Sequence, residues 1–425
     1  MANPTEPTRN RLAVGFIVAM EACERFSFYG VVSILTLYLT NRLKLSEANA
    51  KEAVHGFKVA VYFLPLLGGL IADRWLGRYR TILALSTFYC LGHGVIALTD
   101  ASGRGLWIGL ALIALGAGGI KPCVSAFVGD QFGESARDRL PFVYGLFYWS
   151  INLGAMFGFA LVPWIRDEHG YRWAFGIPGI FMGIAALCFW LGSPHYLRVP
   201  VKPPAKGAAP DLRVVGRIAL VLLPVPVFWA LYDQINSSWV LQGARMAPFV
   251  VAGFKMDAER IQSVSALLVL LWIPILTLVV YPVAERAGLK LTPLRRMGAG
   301  MVFTAVSFVV CAWIQSRIEG GERLSLAWQL VPYALIELGE VLVSATGLEF
   351  AYGQAPESSR GLVMSLWLCT TSLGNFLVAA VTWTNDRFVH ARGTLEFLFY
   401  AGLMLVVAAV FAVIARRYRG AEPTA

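Results

Sequence analysis

The sequence predicts an all-α membrane protein: about twelve transmembrane helices in two six-helix bundles, with no extra helix pair inserted between them. Three observations carry this. Aromatic and aliphatic residues make up 57% of the 425 residues and charged residues 15%, too apolar a balance for the surface of a soluble protein. Apolar stretches of about 20 residues, the length that crosses a bilayer as a helix, recur along the whole chain. One long polar link, Ser193 to Arg213, is rich in proline, lysine and alanine, lacks apolar periodicity, and divides those stretches six and six.

The first six spans are expected at Leu12 to Leu39, Ala53 to Asp73, Thr81 to Leu98, Gly105 to Val128, Pro141 to Ile165 and Trp173 to Leu191. The second six follow at Val214 to Val240, Ser263 to Val283, Met297 to Ile314, Trp328 to Ala351, Gly361 to Trp383 and Thr394 to Ile414. The bundles are then residues 1–192 and 214–425, with 193–213 as a cytoplasmic linker. The first span follows Arg9 and Arg11, contains charged residues and shows no small-residue cleavage site, so it is expected to stay in the membrane rather than act as a removable signal.

A net charge of +10 would suggest nucleic acid for a soluble protein. Here the basic residues sort by side of the membrane. With the N-terminus inside, 20 of the 36 Lys and Arg are cytoplasmic and 13 lie in outer loops, with Arg25, Lys58 and Lys121 left inside spans. The cytoplasmic set is Arg9, Arg11, Arg74, Arg78, Arg80, Arg137, Arg139, Arg198, Lys202, Lys206, Arg213, Arg217, Arg286, Lys290, Arg295, Arg296, Arg360, Arg416, Arg417 and Arg419. Both termini are expected in the cytoplasm. Cys23, Cys90, Cys123, Cys188, Cys311 and Cys369 all fall in apolar spans without metal-ligand spacing, so they read as small hydrophobes, and no metal or cofactor is expected.

Two equal bundles joined by a cytoplasmic linker resemble the architecture of major facilitator transporters, in which cargo sits near the midplane between the halves. The segment Gly69-Leu-Ile-Ala-Asp73-Arg74-Trp-Leu-Gly77-Arg78-Tyr-Arg80, between spans two and three, resembles that superfamily's loop motif. Its glycines permit a tight turn, and Asp73 can pair with arginines.

Ionisable groups inside spans cost a few kcal/mol each on insertion scales, which makes them functional candidates. Glu21, Glu24, Arg25 and Tyr29 fall within about 140° of one face of span one. An internal salt bridge between Glu21 and Arg25, four residues apart, would account for two of them and leave Glu24 unexplained. A carboxylate beside a cation is also what proton coupling needs, because its proton affinity changes when the partner moves or a substrate carboxylate replaces it. Lys121, in Gly116-Ala-Gly-Gly119-Ile-Lys121-Pro122, needs an anionic partner, for which Glu21 and Glu24 are the candidates in the same half. In the second half Asp233 lies near the outer end of span seven and Glu340 deep in span ten, with Glu337 one turn before it. Cations in one half and a carboxylate in the other suit a zwitterionic cargo. His55, at the outer entrance of span two, is either a titrating group or an interfacial anchor, and Lys58 is expected to snorkel outward.

Glu21-x-x-Glu24-Arg25-Phe26-Ser27-Phe28-Tyr29-Gly30 resembles the opening signature of the proton-dependent oligopeptide transporter family, Glu-x-x-Glu-Arg-Phe-x-Tyr-Tyr-Gly. Further agreement lies in Gly119-Ile-Lys121-Pro122, Gly129-Asp130-Gln131-Phe132, Phe147-Tyr148-Trp-Ser-Ile-Asn152-Leu-Gly154 and Phe228-Trp229-Ala-Leu-Tyr-Asp233-Gln234, and then in Gly339-Glu340 and Gly347-Leu-Glu349-Phe350. The resemblance covers both halves. It implies symport of dipeptides and tripeptides with protons across the cell inner membrane by alternating access. Arg25 and Lys121 would take the peptide carboxylate and Glu340 its amino terminus, with Tyr29, Tyr62, Asn152 and Trp367 lining the pocket. Glu21 and Glu24 match the family's proton-coupling carboxylates, and Asp233 a titrating residue near the outer gate; His55 joins them as a coupling candidate. The expected partners are peptides, protons and the bilayer, with no nucleic acid, and the chain is expected to be a monomer without enzymatic activity.

The chain departs from the family pattern in several places. Phe28 replaces a tyrosine, Val32 a common basic residue, and Ser265 a pocket asparagine, while Glu337 is an additional carboxylate. Ser193 to Arg213 is too short for the extra helix pair of many bacterial members, and Gln315 to Ala327 too short for the outer domain of mammalian ones. A carrier of nitrate or another organic anion is the rival within transport, and a peptide sensor or membrane enzyme the rival outside it. Against the enzyme, the sequence holds no His-Glu metal helix and no glycine-flanked serine.

Overall fold

The computed structural model describes residues 6–99, 103–132, 140–199, 201, 211–355 and 359–418, with side chains for all of these except 6–11, 140–141, 360–361 and 389. Arg137, Arg139, Lys202, Lys206 and Arg419, assigned above to the cytoplasmic side, lie outside the described residues, as do positions 200 and 202–210 of the link and the side chains of Arg9, Arg11 and Arg360.

Eleven helical runs among the described residues are long and apolar enough to cross a membrane. They are Glu47–Leu76, Arg78–Leu98, Gly103–Asp130, Phe142–His169, Tyr171–His195, Leu212–Gly243, Arg260–Arg286, Pro293–Glu319, Leu326–Gln354, Leu362–Phe388 and Thr394–Arg417, hereafter spans two to twelve. Span one, Glu6–Leu37, has 32 residues and ample length. Glu21, Glu24 and Arg25 in its middle set it apart from the others by composition. Each of the twelve expected spans lies inside one of these runs, except that spans five and eleven begin one residue earlier, within the helices Leu140–His169 and Arg360–Thr384, and that span one lies inside the helix and the π turn Tyr38–Arg42 that continues it.

The chain divides by contact into two units, Met1–Leu35 with Ala60–Ala205, and Thr36–Val59 with Lys206–Ala425. In the first unit span four packs along spans two and three, and span six along spans three and five. In the second, span nine packs against ten and twelve, eleven against seven, and eight against ten. The end of span one and the start of span two belong to the second unit through polar ties: Thr36 Oγ1 donates to the Asn236 carbonyl at 2.5 Å, Lys51 pairs with Glu396 at 2.6 Å, and Ser372 Oγ donates to the Val59 carbonyl at 3.1 Å.

The link after span six begins as packed structure rather than as a polar tether. Tyr196 is buried among the rings of Tyr79, Phe127 and Phe189. The Gln131 side chain takes both backbone groups of Leu197, accepting from its N–H at 2.9 Å and donating to its carbonyl at 3.2 Å. At the far end Asp211 caps span seven by accepting from the N–H groups of Arg213 and Val214, so that helix starts where two orphan donors are satisfied. Between spans seven and eight, Phe249–Val251 pairs antiparallel with Phe254–Met256 around Ala252 and Gly253, both at positive φ, the backbone that a two-residue hairpin turn requires. The sequence reading holds no strand there because two three-residue strands are too short to show alternation.

In the loop motif, Arg78 pairs with Asp130 at 2.5 Å, while Asp73, mostly exposed, is 3.9 Å from the same guanidinium. The strong partner of Arg78 is therefore Asp130 of span four, and the chain turns at Gly77 (φ 76°) to bring it there.

Candidate functional site

The first unit gathers its charges on span one. Arg25 Nε donates to Glu21 Oε1 at 2.6 Å and lies 3.0 Å from Glu24 Oε2, and all three side chains are buried. The spacing of four that sets Glu21 over Arg25 is a helical turn, so the pair forms within one element. Glu24 Oε1 is buried without a hydrogen-bond partner among the described residues. Among these three groups, one guanidinium shared by two ionised carboxylates leaves one negative charge in excess, which a proton on a carboxylate or the Lys121 cation that acts on Glu21 offsets.

Close approach of span five to this cluster depends on Gly154, where a Cβ would stand 2.3 Å from the Ala22 carbonyl oxygen and 2.8 Å from Arg25 Cβ. Two residues before it, Asn152 donates to the Tyr148 carbonyl at 3.0 Å. Tyr29 packs on Phe159 and Phe28 with ring centroids 5.2 Å away in each case. Lys121 Nζ lies 4.1 Å from the Phe28 ring centroid and 5.5 Å from that of Tyr62, and its charge acts on Glu21. Phe28, the departure that removes a hydroxyl, presents a ring face to a cation, a contact worth about 0.5 to 2 kcal/mol. Thus Glu21, Glu24 and Arg25 come together directly, Lys121 meets Tyr62 through the aromatic contact, and Tyr29 and Asn152 sit on the same unit.

The second unit holds a continuous polar chain. Lys58 Nζ donates to Asp233 Oδ1 and to Asn236 Oδ1, each at 2.5 Å. Asp233 Oδ2 accepts from Asn375 Nδ2 at 2.5 Å, Asn375 Oδ1 meets His55 Nδ1 at 2.8 Å, and His55 Nε2 meets Ser237 Oγ at 2.8 Å. Asn236 Nδ2 in turn donates to Gln262 Oε1 at 2.7 Å. The donors fix the tautomer: Asn375 gives its amide hydrogens to Asp233 and the Thr371 carbonyl, so its oxygen accepts from His55 Nδ1–H and Nε2 accepts from Ser237.

One expectation is corrected here, and one of two open alternatives is removed. Lys58 does not snorkel: it is 2% exposed, because the Asp233 carboxylate on span seven offers a buried counter-ion that the bilayer interface would otherwise supply. His55 is fully buried with both ring nitrogens engaged, so it is not an interfacial anchor. Sequence reasoning also missed Asn236, Ser237 and Asn375. A usable signal was the spacing of His55 and Lys58, three apart on one helical face, which assigns them a common set of partners.

Span seven reaches this network by breaking. After Leu212–Leu222, Pro224 and Pro226 interrupt the helical ladder; Val225–Tyr232 follows, then a 3-10 turn Asp233–Asn236, Ser237 at φ −135° and ψ −85°, and the helix Ser238–Gly243. Asp233, Asn236 and Ser237 all lie on the irregular stretch, as in carriers whose sites form where a helix is interrupted. Span ten is interrupted likewise, by a π turn at Val341–Ala345 directly after Glu340. Glu340 is buried, Ser344 hydrogen-bonds its carboxyl, and Oε2 has no partner among the described residues. Trp367 of span eleven lies against Gly347, where a Cβ would be 2.4 Å from the ring. Arg25 and Lys121 therefore belong to the first unit, and Glu340, Trp367, Asp233 and His55 to the second.

Apolar spans carrying buried ion pairs and interrupted helices define a multi-pass membrane protein of the major facilitator type. The chain belongs to the POT family: that family's model matches residues 79–209 and 205–394. It is similar to a crystal structure of an auto-inhibited POT family peptide transporter, with 36% identity, a TM-score of 0.90, and coverage of 97% of this chain and 98% of the other. A second crystal structure, of a proton-dependent oligopeptide (POT) family transporter, shows 37% identity and a TM-score of 0.82 over 94% and 100% of the two chains. Solute carrier family 15 member 2 of Danio rerio is 36% identical over 359 residues, 72% of this chain and 50% of that protein. Solute carrier family 15 member 1 of Homo sapiens is 34% identical over 371 residues, 72% and 52% respectively. The chain thus spans about half the length of these two relatives.

Proposed function

We propose that this chain is a proton-coupled symporter that imports dipeptides and tripeptides across the cytoplasmic membrane by alternating access, as a monomer, with both termini in the cytoplasm and without catalytic activity. The observation that carries the reading is Arg25 held between Glu21 and Glu24. A buried guanidinium already shared by two carboxylates is released toward a third, the peptide's, when a proton neutralises one of its partners. The two bundles, 1–192 and 214–425, rock about the linker 193–213. Arg25 and Lys121 take the peptide carboxylate, Glu340 its ammonium, and Tyr29, Tyr62, Asn152 and Trp367 its body.

The network around Lys58 and Asp233 supplies the outer gate. Protonation of Asp233 removes the anion that holds Lys58, and His55, neutral between Asn375 and Ser237, relays the change along the chain of hydrogen bonds. The relatives named as peptide transporters support the substrate class. The buried carboxylate Glu340 favours a zwitterion over the rival inorganic or organic anion, which would not need it. The test is counterflow: proteoliposomes preloaded with unlabelled dialanine should take up labelled dialanine, and added dipeptides and tripeptides should compete. Binding without exchange would make the protein a sensor, and absence of competition by dipeptides would remove peptides as cargo.

A further inference from the structure

Ser265 and Glu337, two of the positions at which this chain departs from its family's pattern, are bonded to each other. Ser265 Oγ donates to Glu337 Oε1 at 2.5 Å, and Tyr232 Oη donates to Oε2 at 3.3 Å. Glu337 is fully buried, Ser265 5% exposed, and no lysine, arginine or histidine pairs with Glu337 among the described residues. The other titratable groups around it are Glu340, one turn along the same face of span ten, Tyr333 on that span, Tyr232 from span seven, and Cys311 of span nine beside Tyr333; span eight contributes Ser265.

A carboxylate buried among neutral hydroxyls, with a second carboxylate one turn away, cannot be ionised at the same time as that neighbour without a large desolvation and repulsion cost. The hydroxyl partners suit either form. Ser265 and Tyr232 donate to the ionised group, and each can accept from the O–H of the acid, so a proton can leave or arrive without orphaning a buried polar atom. Lysine or arginine in either place would have locked the ionised form, and an aliphatic pair would have left the site dry.

We propose that Glu337, held by Ser265 and Tyr232, is an additional proton-carrying carboxylate, placed on span ten, so that the cycle moves one more proton per peptide than it does without this residue. This rests on the symport reading above, and its test separates the two. Infrared difference spectra of the purified protein read the carboxylic-acid carbonyl band directly as pH is raised. Reversal-potential measurements in proteoliposomes read the proton-to-peptide ratio. Glu337→Gln should remove one titrating band and lower the ratio by one. Ser265→Ala and Tyr232→Phe, which keep the carboxyl, should shift the pH at which that band is lost. A band set unchanged by Glu337→Gln, a band unmoved by both hydroxyl variants, or an unchanged ratio overturns the proposal. If the wild-type protein moves peptide without protons, the symport reading fails by itself, and the titrating band still decides whether Glu337 exchanges a proton.

Discussion

Lys58 Nζ lies 2.5 Å from Asp233 Oδ1, an ion pair between spans two and seven in which both side chains are almost wholly buried. The lysine also donates to Asn236, and the carboxylate also accepts from Asn375, so each charge is satisfied by a second polar group. A pair buried this deeply contributes little net stability against an apolar substitute, but removing one member leaves an uncompensated charge.

Asp233→Asn should therefore destabilise the protein by about 3 to 5 kcal/mol, and Lys58→Met together with Asp233→Asn by clearly less. Thermal unfolding in detergent of the two single variants and the double variant measures the coupling. Additive losses would mean that the two groups act independently.

Arg25→Lys replaces a guanidinium that serves two carboxylates with a point charge that cannot reproduce its planar fork. Loss of a charge-assisted hydrogen bond, about 1.5 to 3 kcal/mol, predicts roughly 10- to 100-fold weaker binding of peptides with a free carboxylate. Competition assays with C-terminally amidated peptides should show a much smaller change. Equal weakening of both would place the peptide carboxylate elsewhere.

Glu340→Gln keeps the shape and the contact with Ser344 but removes the charge. Binding of unmodified peptides should fall more than that of N-blocked ones, in the same competition format. Equal losses would refute the ammonium role.

Gly347→Ala places a methyl 2.4 Å from the Trp367 ring, so the ring must move. The expected outcome is an altered tryptophan fluorescence response to peptide and a several-fold loss of affinity. An unaltered response would mean that Trp367 does not line the pocket.

How much of this was legible in the sequence follows from the distance over which each feature acts. Glu21, Glu24 and Arg25 share one helical face, so their pairing follows from helix geometry alone. Span boundaries were readable to within a few residues because an apolar run of bilayer length is a local property. Lys58 and Asp233 stand 175 residues apart, and nothing local to either announces the other. With no counter-ion visible nearby in the sequence, Lys58 reads as a residue that snorkels to the interface. The breaks in spans seven and ten were only half visible, since Pro224 and Pro226 mark the first and no proline marks the π turn after Glu340. Ser265 and Glu337 were each visible as departures, but only the packing of span eight on span ten joins them.

Glu21→Gln and Glu24→Gln each remove one of the two anions that hold Arg25, and should uncouple transport from the proton gradient. Exchange of labelled for unlabelled peptide, which needs no net proton movement, separates lost coupling from lost transport. Retained gradient-driven accumulation in both variants would place coupling outside span one.

The most direct test of proton-driven peptide import is uptake of labelled dialanine into proteoliposomes under an inward acid gradient. Accumulation above the outside concentration, collapsed by a protonophore and competed by dipeptides and tripeptides, is the predicted result. Uptake that only equilibrates, or that is indifferent to the gradient, would contradict it.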